Sequence, residues 1–273
     1  MGAVLRAATR GSPLARLQTD IVAGLLEVEV EPVVVETSGD RRADVPIWSM
    51  GGQGVFAKEV QTAVLEGRAD IAVHSAKDMT STDTEGLTVG AYLAREDPRD
   101  ALCGAEALRP QMRIGTASIR RRAQLLVLEP TLSIEPLRGN VDTRLRKRRE
   151  RGLDAIVLAA CGLDRLGLSS EIGRRFEPDE IVPEAGQGAL ALQVRSGDEH
   201  LVAAADDAET RLRVEAERTC VAEIGGGCLA PVAAHHDGRQ LTALVAAEDG
   251  SWIERRSGSD PRAVAAELLA RLP

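Results

Sequence analysis

The chain has 273 residues, 44% of them hydrophobic and 28% charged, which fits one large domain or two to three small ones around a real core. Those values exclude a disordered chain, a collagen-like chain and a small disulfide scaffold. A formal net charge of −8 and only 2% aromatic residues argue against nucleic-acid and anionic-membrane partners.

Short apolar runs alternate with helix-period segments along the chain. Residues 4–8 read as a strand, 13–28 as a helix and 32–36 as a strand. Residues 56–66 have helical spacing and stop at Gly67. Strands are expected at 70–74 (DIAVH) and 87–93. After Asp97-Pro98 the pattern restarts, with a strand at 113–115, a helix at 119–128 and a strand at 132–137. A helix at 141–151 and a strand at 154–158 follow. The alternation predicts parallel α/β sheets in two domains split near residue 97. From residue 206 the pattern changes. One long amphipathic helix (206–223), three short strands (232–236, 241–247, 251–256) and a last helix from Pro261 make a small α+β domain.

Cys103, Cys161, Cys220 and Cys228 form no CxxC pair, and no His stands at zinc-finger spacing, so no metal is expected. Arg6 and Arg10 break the first apolar run, so no signal peptide is read there. No stretch of ~20 apolar residues offers a membrane span. A cytoplasmic protein with reduced thiols is expected.

Of the 34 basic residues, only Lys58, Lys77 and Lys147 are lysines. Codon bias accounts for the abundance of arginine but not for its placement. Three strand-to-helix junctions share one design: Ala8-Thr9-Arg10-Gly11-Ser12-Pro13, then Gly115-Thr116-Ala117-Ser118-Ile119-Arg120-Arg121-Arg122, then Leu137-Arg138-Gly139-Asn140-Val141-Asp142-Thr143-Arg144. Ser12, Ser118 and Asn140 or Asp142 are candidate helix caps. Arginine in a first helical turn opposes the helix dipole, so a bound anion is expected there. Ligands of open α/β sheets sit beyond the carboxyl ends of the strands, where all three junctions fall. Arg120 and Arg121 are expected to face that ligand and Arg122 to face outward. The run from Arg144 to Arg151 otherwise reads as a solvated helix face.

A fourth strand end is Val73-His74-Ser75-Ala76-Lys77-Asp78. Lys77 adds a cation. Asp78 is a lone carboxylate among positive groups, suited to stabilising a developing cation. Gly225-Gly226-Gly227-Cys228 leaves an open approach to one sulfur, suited to carrying a covalent group. The other three cysteines read as buried core residues, and His235 and His236 as structural.

Several segments together resemble the porphobilinogen deaminase, or hydroxymethylbilane synthase, family. They are ATRGSPLA (8–15), GGQGVFAKE (51–59), ADIAVHSAKD (69–78), REDPRDA (95–101), IGTASIRRRAQL (114–125), LRGNVDTRL (137–145), DAIVLAACGLDRLG (154–167), PEAGQGALALQVR (183–195) and GGGCLAPV (225–232). The resemblance implies two doubly wound domains like those of periplasmic binding proteins, with the active cleft between them, plus a small α+β C-terminal domain. The implied boundaries are 1–95 with 189–206, then 99–183, then 207–273. It implies the deaminating head-to-tail condensation of four porphobilinogens to hydroxymethylbilane, in tetrapyrrole (haem) biosynthesis. It also implies a dipyrromethane cofactor thioether-linked to Cys228. Asp78 matches the carboxylate that stabilises the azafulvenium and pyrrole cations. Arg10, Ser12, Gln18, Ser75, Arg138, Arg144, Arg165 and Gln187 are implied around the substrate, with Gln187 at the hinge. Lys77, Thr116, Ser118, Arg120, Arg121 and Arg144 are implied on cofactor carboxylates.

Four departures from the family pattern stand out. Ser49 and Gln53 replace loop lysines, a role Arg41 and Arg42 could fill. Thr80 replaces a proline, Arg122 extends an arginine pair, and the last domain stops early at Pro273. The resemblance implies a monomer. Two other classes compete. A two-lobed solute-binding or sensor protein would share the strand-end arginines but has no need of Cys228 and would need an export signal. A nucleic-acid binder is opposed by the charge and the low aromatic content.

Overall fold

The computed structural model describes residues 4–38, 54, 56–80, 82–225 and 231–272. The chain divides into two compact units, Met1–Glu96 with Ala189–Leu212, and Asp97–Gly188 with Arg213–Pro273. The expected fold class holds: two doubly wound α/β sheets and a small α+β part at the carboxyl end.

In the first unit β1 (Leu5–Arg10) leads to α1 (Pro13–Leu26), β2 (Val30–Val35), α2 (Lys58–Leu65), β3 (Ile71–Ser75) and β4 (Leu87–Tyr92). Ser12 Oγ accepts a hydrogen bond from the Ala15 amide and Pro13 occupies the first helical turn, so α1 starts where the sequence signals it. The helix ends at Glu27 in the left-handed region (φ 53°). The strand order is β2-β1-β3-β10-β4, with β10 (Leu190–Arg195) antiparallel to both neighbours. Ile71, Val73, Leu190, Leu192 and Val194 pack with Val22 on one face, and Ala8, Ala72, Val60 and Val64 on the other.

The second unit repeats this arrangement. Its elements are β5 (Asp100–Cys103), β6 (Arg113–Gly115), α3 (Ile119–Leu128), β7 (Ser133–Glu135), α4 (Val141–Glu150), β8 (Ala155–Ala159), α5 (Ala160–Arg165) and β9 (Ile172–Arg175). The order is β7-β6-β8-β5-β9, and β5 runs antiparallel to β8 and β9. The sheets are therefore mixed, not parallel throughout as the alternation predicted. In each, four strands run one way and one runs against them. That strand begins at the carboxyl edge of its neighbours: Leu190 pairs with Ser75, and Asp100 with Ala159. It thereby delivers extra residues to the edge where ligands of such sheets bind.

The carboxyl-terminal elements are α6 (Ala208–Glu223), β11 (Val232–His236), β12 (Leu241–Ala246), β13 (Ile253–Gly258) and α7 (Pro261–Leu269). The three strands form an antiparallel sheet in sequence order. Alternation covers both faces. Ala234, Leu241, Ala243 and Val245 pack with Cys220, Val264 and Leu268, whereas Ala233, Leu244 and Ala246 pack with Ala123 of α3 and Val182. That second contact explains why this sheet clusters with the second unit.

Two glycines test the packing in opposite directions. A Cβ on Gly173 in β9 would collide with the carbonyl oxygen of Ala105, a backbone atom that cannot swing away. Gly173→Ala is expected to destabilise by about 1–3 kcal/mol. Gly24 in α1 is exposed and a Cβ there meets nothing within 4 Å. Gly24→Ala is expected to stabilise by about 0.5–1 kcal/mol through helix propensity. Denaturation midpoints of both variants check the pair.

Candidate functional site

At the carboxyl edge of the first unit's sheet lies a pocket. Arg10, at the end of β1, and Ser12, the cap of α1, line one side. Gln18 reaches across from α1, and its Nε2 donates to Ser75 Oγ at 3.0 Å. Ser75 ends β3, and the next three residues, Ala76–Asp78, form one 3₁₀ turn. That turn is anchored by the Ala76 amide donating to the Ala189 carbonyl at 3.0 Å. It places the half-buried Asp78 on the pocket wall. Phe56 lines the pocket too, and the Arg10 guanidinium stacks on its ring at 4.1 Å from the centroid. Such a stack orients the planar fork of the arginine at modest energy, about 0.5–1 kcal/mol when exposed. Arg10, Ser12, Gln18, Ser75 and Asp78 thus meet in one place. Lys77 is half-buried on the same turn and is not among the residues lining this pocket.

The second unit's edge is built around the junction before α3. Thr116 is buried, and its amide donates to the Glu135 carbonyl at 2.9 Å. Thr116 Oγ1 accepts from the Ser118 amide at 3.2 Å, and Ser118 Oγ accepts from the Arg121 amide at 3.4 Å. Ser118 is therefore the cap the sequence indicated. Arg122 is exposed, as expected, but Arg120 and Arg121 are buried.

Their counter-anion is internal. Asp100 opens β5 and is fully buried. Arg120 Nη1 donates to its Oδ2 at 2.8 Å and Arg121 Nη2 to its Oδ1 at 2.8 Å. Arg121 Nε donates to Oδ1 as well, at 3.1 Å. Arg121 also donates to the Val157 carbonyl and, at 3.4 Å, to Gln187 Oε1. Gln187 Nε2 donates to Asp100 Oδ1 at 2.8 Å and to the Pro98 carbonyl at 2.7 Å. Burial pushes the Asp100 carboxyl up, but the two guanidinium groups outweigh it and hold the carboxyl far below its usual range. The same carboxylate raises Arg121 against its own burial. The first-turn arginines thus have a protein reason to exist that the sequence reading did not identify. Asp100 lies within the REDPRDA segment, but a four-residue strand shows no alternation, and aspartate is rarely fully buried.

The cluster still has capacity for a ligand. Among the described residues, Arg120 Nε and Nη2 are buried without a hydrogen-bond partner. Two guanidinium groups share the one buried carboxylate of Asp100. That donor set fits an organic carboxylate.

Arg138 and Arg144 lie half-buried around the third junction, where Gly139 takes φ 127° and a Cβ would press on the Thr143 side chain. Asn140 has the backbone position of the α4 cap but makes no side-chain capping bond. Arg165, on α5, donates from Nη2 to the Gly188 carbonyl at 2.9 Å. Cys103, Cys161 and Cys220 are buried free thiols. Burial pushes Cys103 up to about 11 and Cys220 up to about 12, so neither is a thiolate near neutrality. Cys228, with Ser49, Gln53, Arg41 and Arg42, lies outside the described residues. His235 and His236 are buried on β11 beside Glu217, and no cluster of metal-ligating side chains occurs among the described residues. No helix among them is long and apolar enough to cross a membrane.

These features define a doubly wound α/β protein with an anion-receptive edge on each sheet. A family model described as porphobilinogen deaminase, dipyromethane cofactor binding domain, matches residues 5–203, and one described as porphobilinogen deaminase, C-terminal domain, matches residues 211–272. A probable porphobilinogen deaminase of Methanopyrus kandleri is 46% identical over 269 residues, covering 92% of this chain and 90% of that one. The porphobilinogen deaminase of Roseiflexus sp. is 43% identical over 286 residues, covering 97% and 94%. That of Acidithiobacillus ferrooxidans is 44% identical over 290 residues, covering 98% and 95%. Among solved structures, a nutrient binding protein from Burkholderia cenocepacia bound to methionine matches with a TM-score of 0.45 at 13% identity, covering 76% of this chain and 93% of that one. The chain belongs to the porphobilinogen deaminase family. Its activity is that of a hydroxymethylbilane synthase in tetrapyrrole biosynthesis, with a dipyrromethane cofactor.

The Asp100 cluster carries a pH signature. Because the folded carboxyl titrates below its unfolded value of about 3.9, its stabilisation is complete above that value and is lost as pH falls through the folded one. Asp100→Asn is expected to cost about 3–5 kcal/mol at neutral pH by leaving buried cations unpaired. The difference from wild type should shrink as pH drops below about 4. Denaturant unfolding from pH 7 to 3 reads both effects.

Proposed function

We propose that the pocket beside Asp78 is where porphobilinogen loses ammonia. The observation that carries this reading is that one carboxylate, Asp78, lines the same pocket as Arg10, Ser12, Gln18 and Ser75. Each turnover joins four porphobilinogens with loss of four ammonia molecules and uptake of one water, giving hydroxymethylbilane. Cys228 would hold the dipyrromethane through a thioether, and the group would supply a nucleophilic pyrrole carbon to prime the chain.

The protein's own groups do the rest. Arg10 and Ser12 take up substrate carboxylates, with Gln18, Ser75, Arg138, Arg144, Arg165 and Gln187 as further contacts. Loss of ammonia leaves positive charge on the substrate ring. A fixed carboxylate at Asp78 stabilises that charge and the ring cation formed on coupling, without having to reorganise. It also accepts hydrogen bonds from pyrrole N–H groups, which orients the ring. Lys77, Thr116, Ser118, Arg120, Arg121 and Arg144 hold the cofactor's acetate and propionate groups. Arg121 already spends four of its roughly five N–H donors inside the protein, so it gives mainly charge. Arg120 has donors to offer.

The three-domain division 1–95 with 189–206, 99–183 and 207–273 belongs to the same reading, supported by three separate sheets. So do a monomeric state and a cytoplasmic location; for the location, the buried free thiols Cys103, Cys161 and Cys220 are the support.

Asp78→Asn is expected to keep the fold and the cofactor adduct but to lose roughly 10²-fold or more in turnover. Steady-state rates together with intact mass check this, and normal turnover would show that Asp78 carries no charge-stabilising role. Cys220→Ala should stay active and Cys228→Ala should not. The opposite pattern would assign the tether to the wrong sulfur.

A further inference from the structure

Asp100 has no part in the chemistry above, yet both of its carboxylate oxygens are engaged. Oδ1 accepts from Arg121 Nε, Arg121 Nη2 and Gln187 Nε2, and Oδ2 accepts from Arg120 Nη1. Asp100 is fully buried with both oxygens bonded inside the protein, so it presents no exposed acceptor to a substrate. Its work must be done through the arginines. It fixes both guanidinium groups from one point, while Arg120 Nη1 is held from the other side by the Val182 carbonyl at 2.8 Å. With one nitrogen of Arg120 clamped twice, Nε and Nη2 are left as buried donors aimed by the clamp. Desolvated donors of a permanently charged group are costly to leave unmet. A ligand carboxylate meets them in the bidentate geometry the fork provides. Without Asp100, two buried cations would repel and lose their common orientation.

We infer that Asp100 is a positioning residue for the cofactor: it sets the Arg120–Arg121 pair as a receptor for a pyrrole carboxylate. The inference rests on the reading that these arginines meet the cofactor. It predicts that Asp100 governs how much cofactor the protein acquires and keeps, apart from what it does for stability.

The test uses the full-length chain purified from a haem-making host. The fraction bearing a two-ring pyrrole adduct is read by intact mass after denaturation, alongside the thermal midpoint. Asp100→Asn should lower the adduct-bearing fraction roughly tenfold or more, the scale of a misplaced binding group. Asp100→Glu keeps the charge but shifts the guanidinium groups by one methylene, and should fall between Asn and wild type. Asp164→Asn is the stability control. It removes a carboxylate paired with Arg175 at 2.7 Å in the same unit, and it should lower the midpoint while keeping the wild-type adduct level. Should Asp100→Asn fail to fold, Asp100→Glu decides: an adduct level below wild type supports the inference and a wild-type level overturns it. Equal loading in Asp100→Asn and wild type overturns it, as does a loss of adduct in Asp164→Asn that tracks the midpoint. A wild-type protein without adduct would sink the tethered-cofactor reading itself, and this inference with it. Loaded wild type with fully loaded Asp100 variants would sink the inference alone.

Discussion

The carboxyl edges of the two sheets collect positive charge, and that charge has to be balanced in place. Free N–H groups at helix starts and arginines in first helical turns add rather than cancel. The protein settles part of this internally. In the second unit a single buried aspartate holds two arginines and leaves donors of one of them unmet. In the first, Arg10 lies flat on Phe56 beside a pocket that holds Asp78. The second edge therefore keeps buried donors for an anion on Arg120, and the substrate of this family carries a carboxylate on each of two arms of every ring. An acidic protein can bind such a ligand because its few organised cations outweigh, locally, a net charge of −8.

The topology explains how these groups arrive. A purely parallel sheet would bring only strand ends and helix starts to its carboxyl edge. Here one strand in each sheet runs backward, and its first residues join that edge. β5 delivers Asp100 between the arginines, and Ala189, just before β10, ties down the turn carrying Asp78. The residues where the chain enters and leaves the second unit are linked by Gln187, which bonds both Pro98 and Asp100. The arrangement of side chains at each sheet edge thus depends on the backward strand as much as on the parallel ones.

Local signals made much of this legible. Ser12-Pro13 and Ser118 announced helix starts that the structure reproduces, and the helix 119–128 and the strands 113–115 and 232–236 fall on the residues read from periodicity. The strand-end arginines were rightly picked out as unusual. Their partner was not, because a pairing between Asp100 and Arg121 depends on β5 lying next to β8, which no local pattern encodes. For the same reason β5 and β9, four residues each, were invisible to alternation. Phe56 escaped notice as an aromatic among helix-period residues, although its stack with Arg10 spans 46 positions of sequence. Asn140 shows the converse: the residue type suited a cap, the backbone adopts the position, and the side chain still makes no capping bond.

A crystal structure of the adduct-bearing enzyme would weigh the central claim most directly. The account predicts pyrrole carboxylates on Arg120 Nε and Nη2 and on the Thr116–Ser118 turn. Carboxylates pointing into solvent, with the Arg120 donors still unmet, would contradict it.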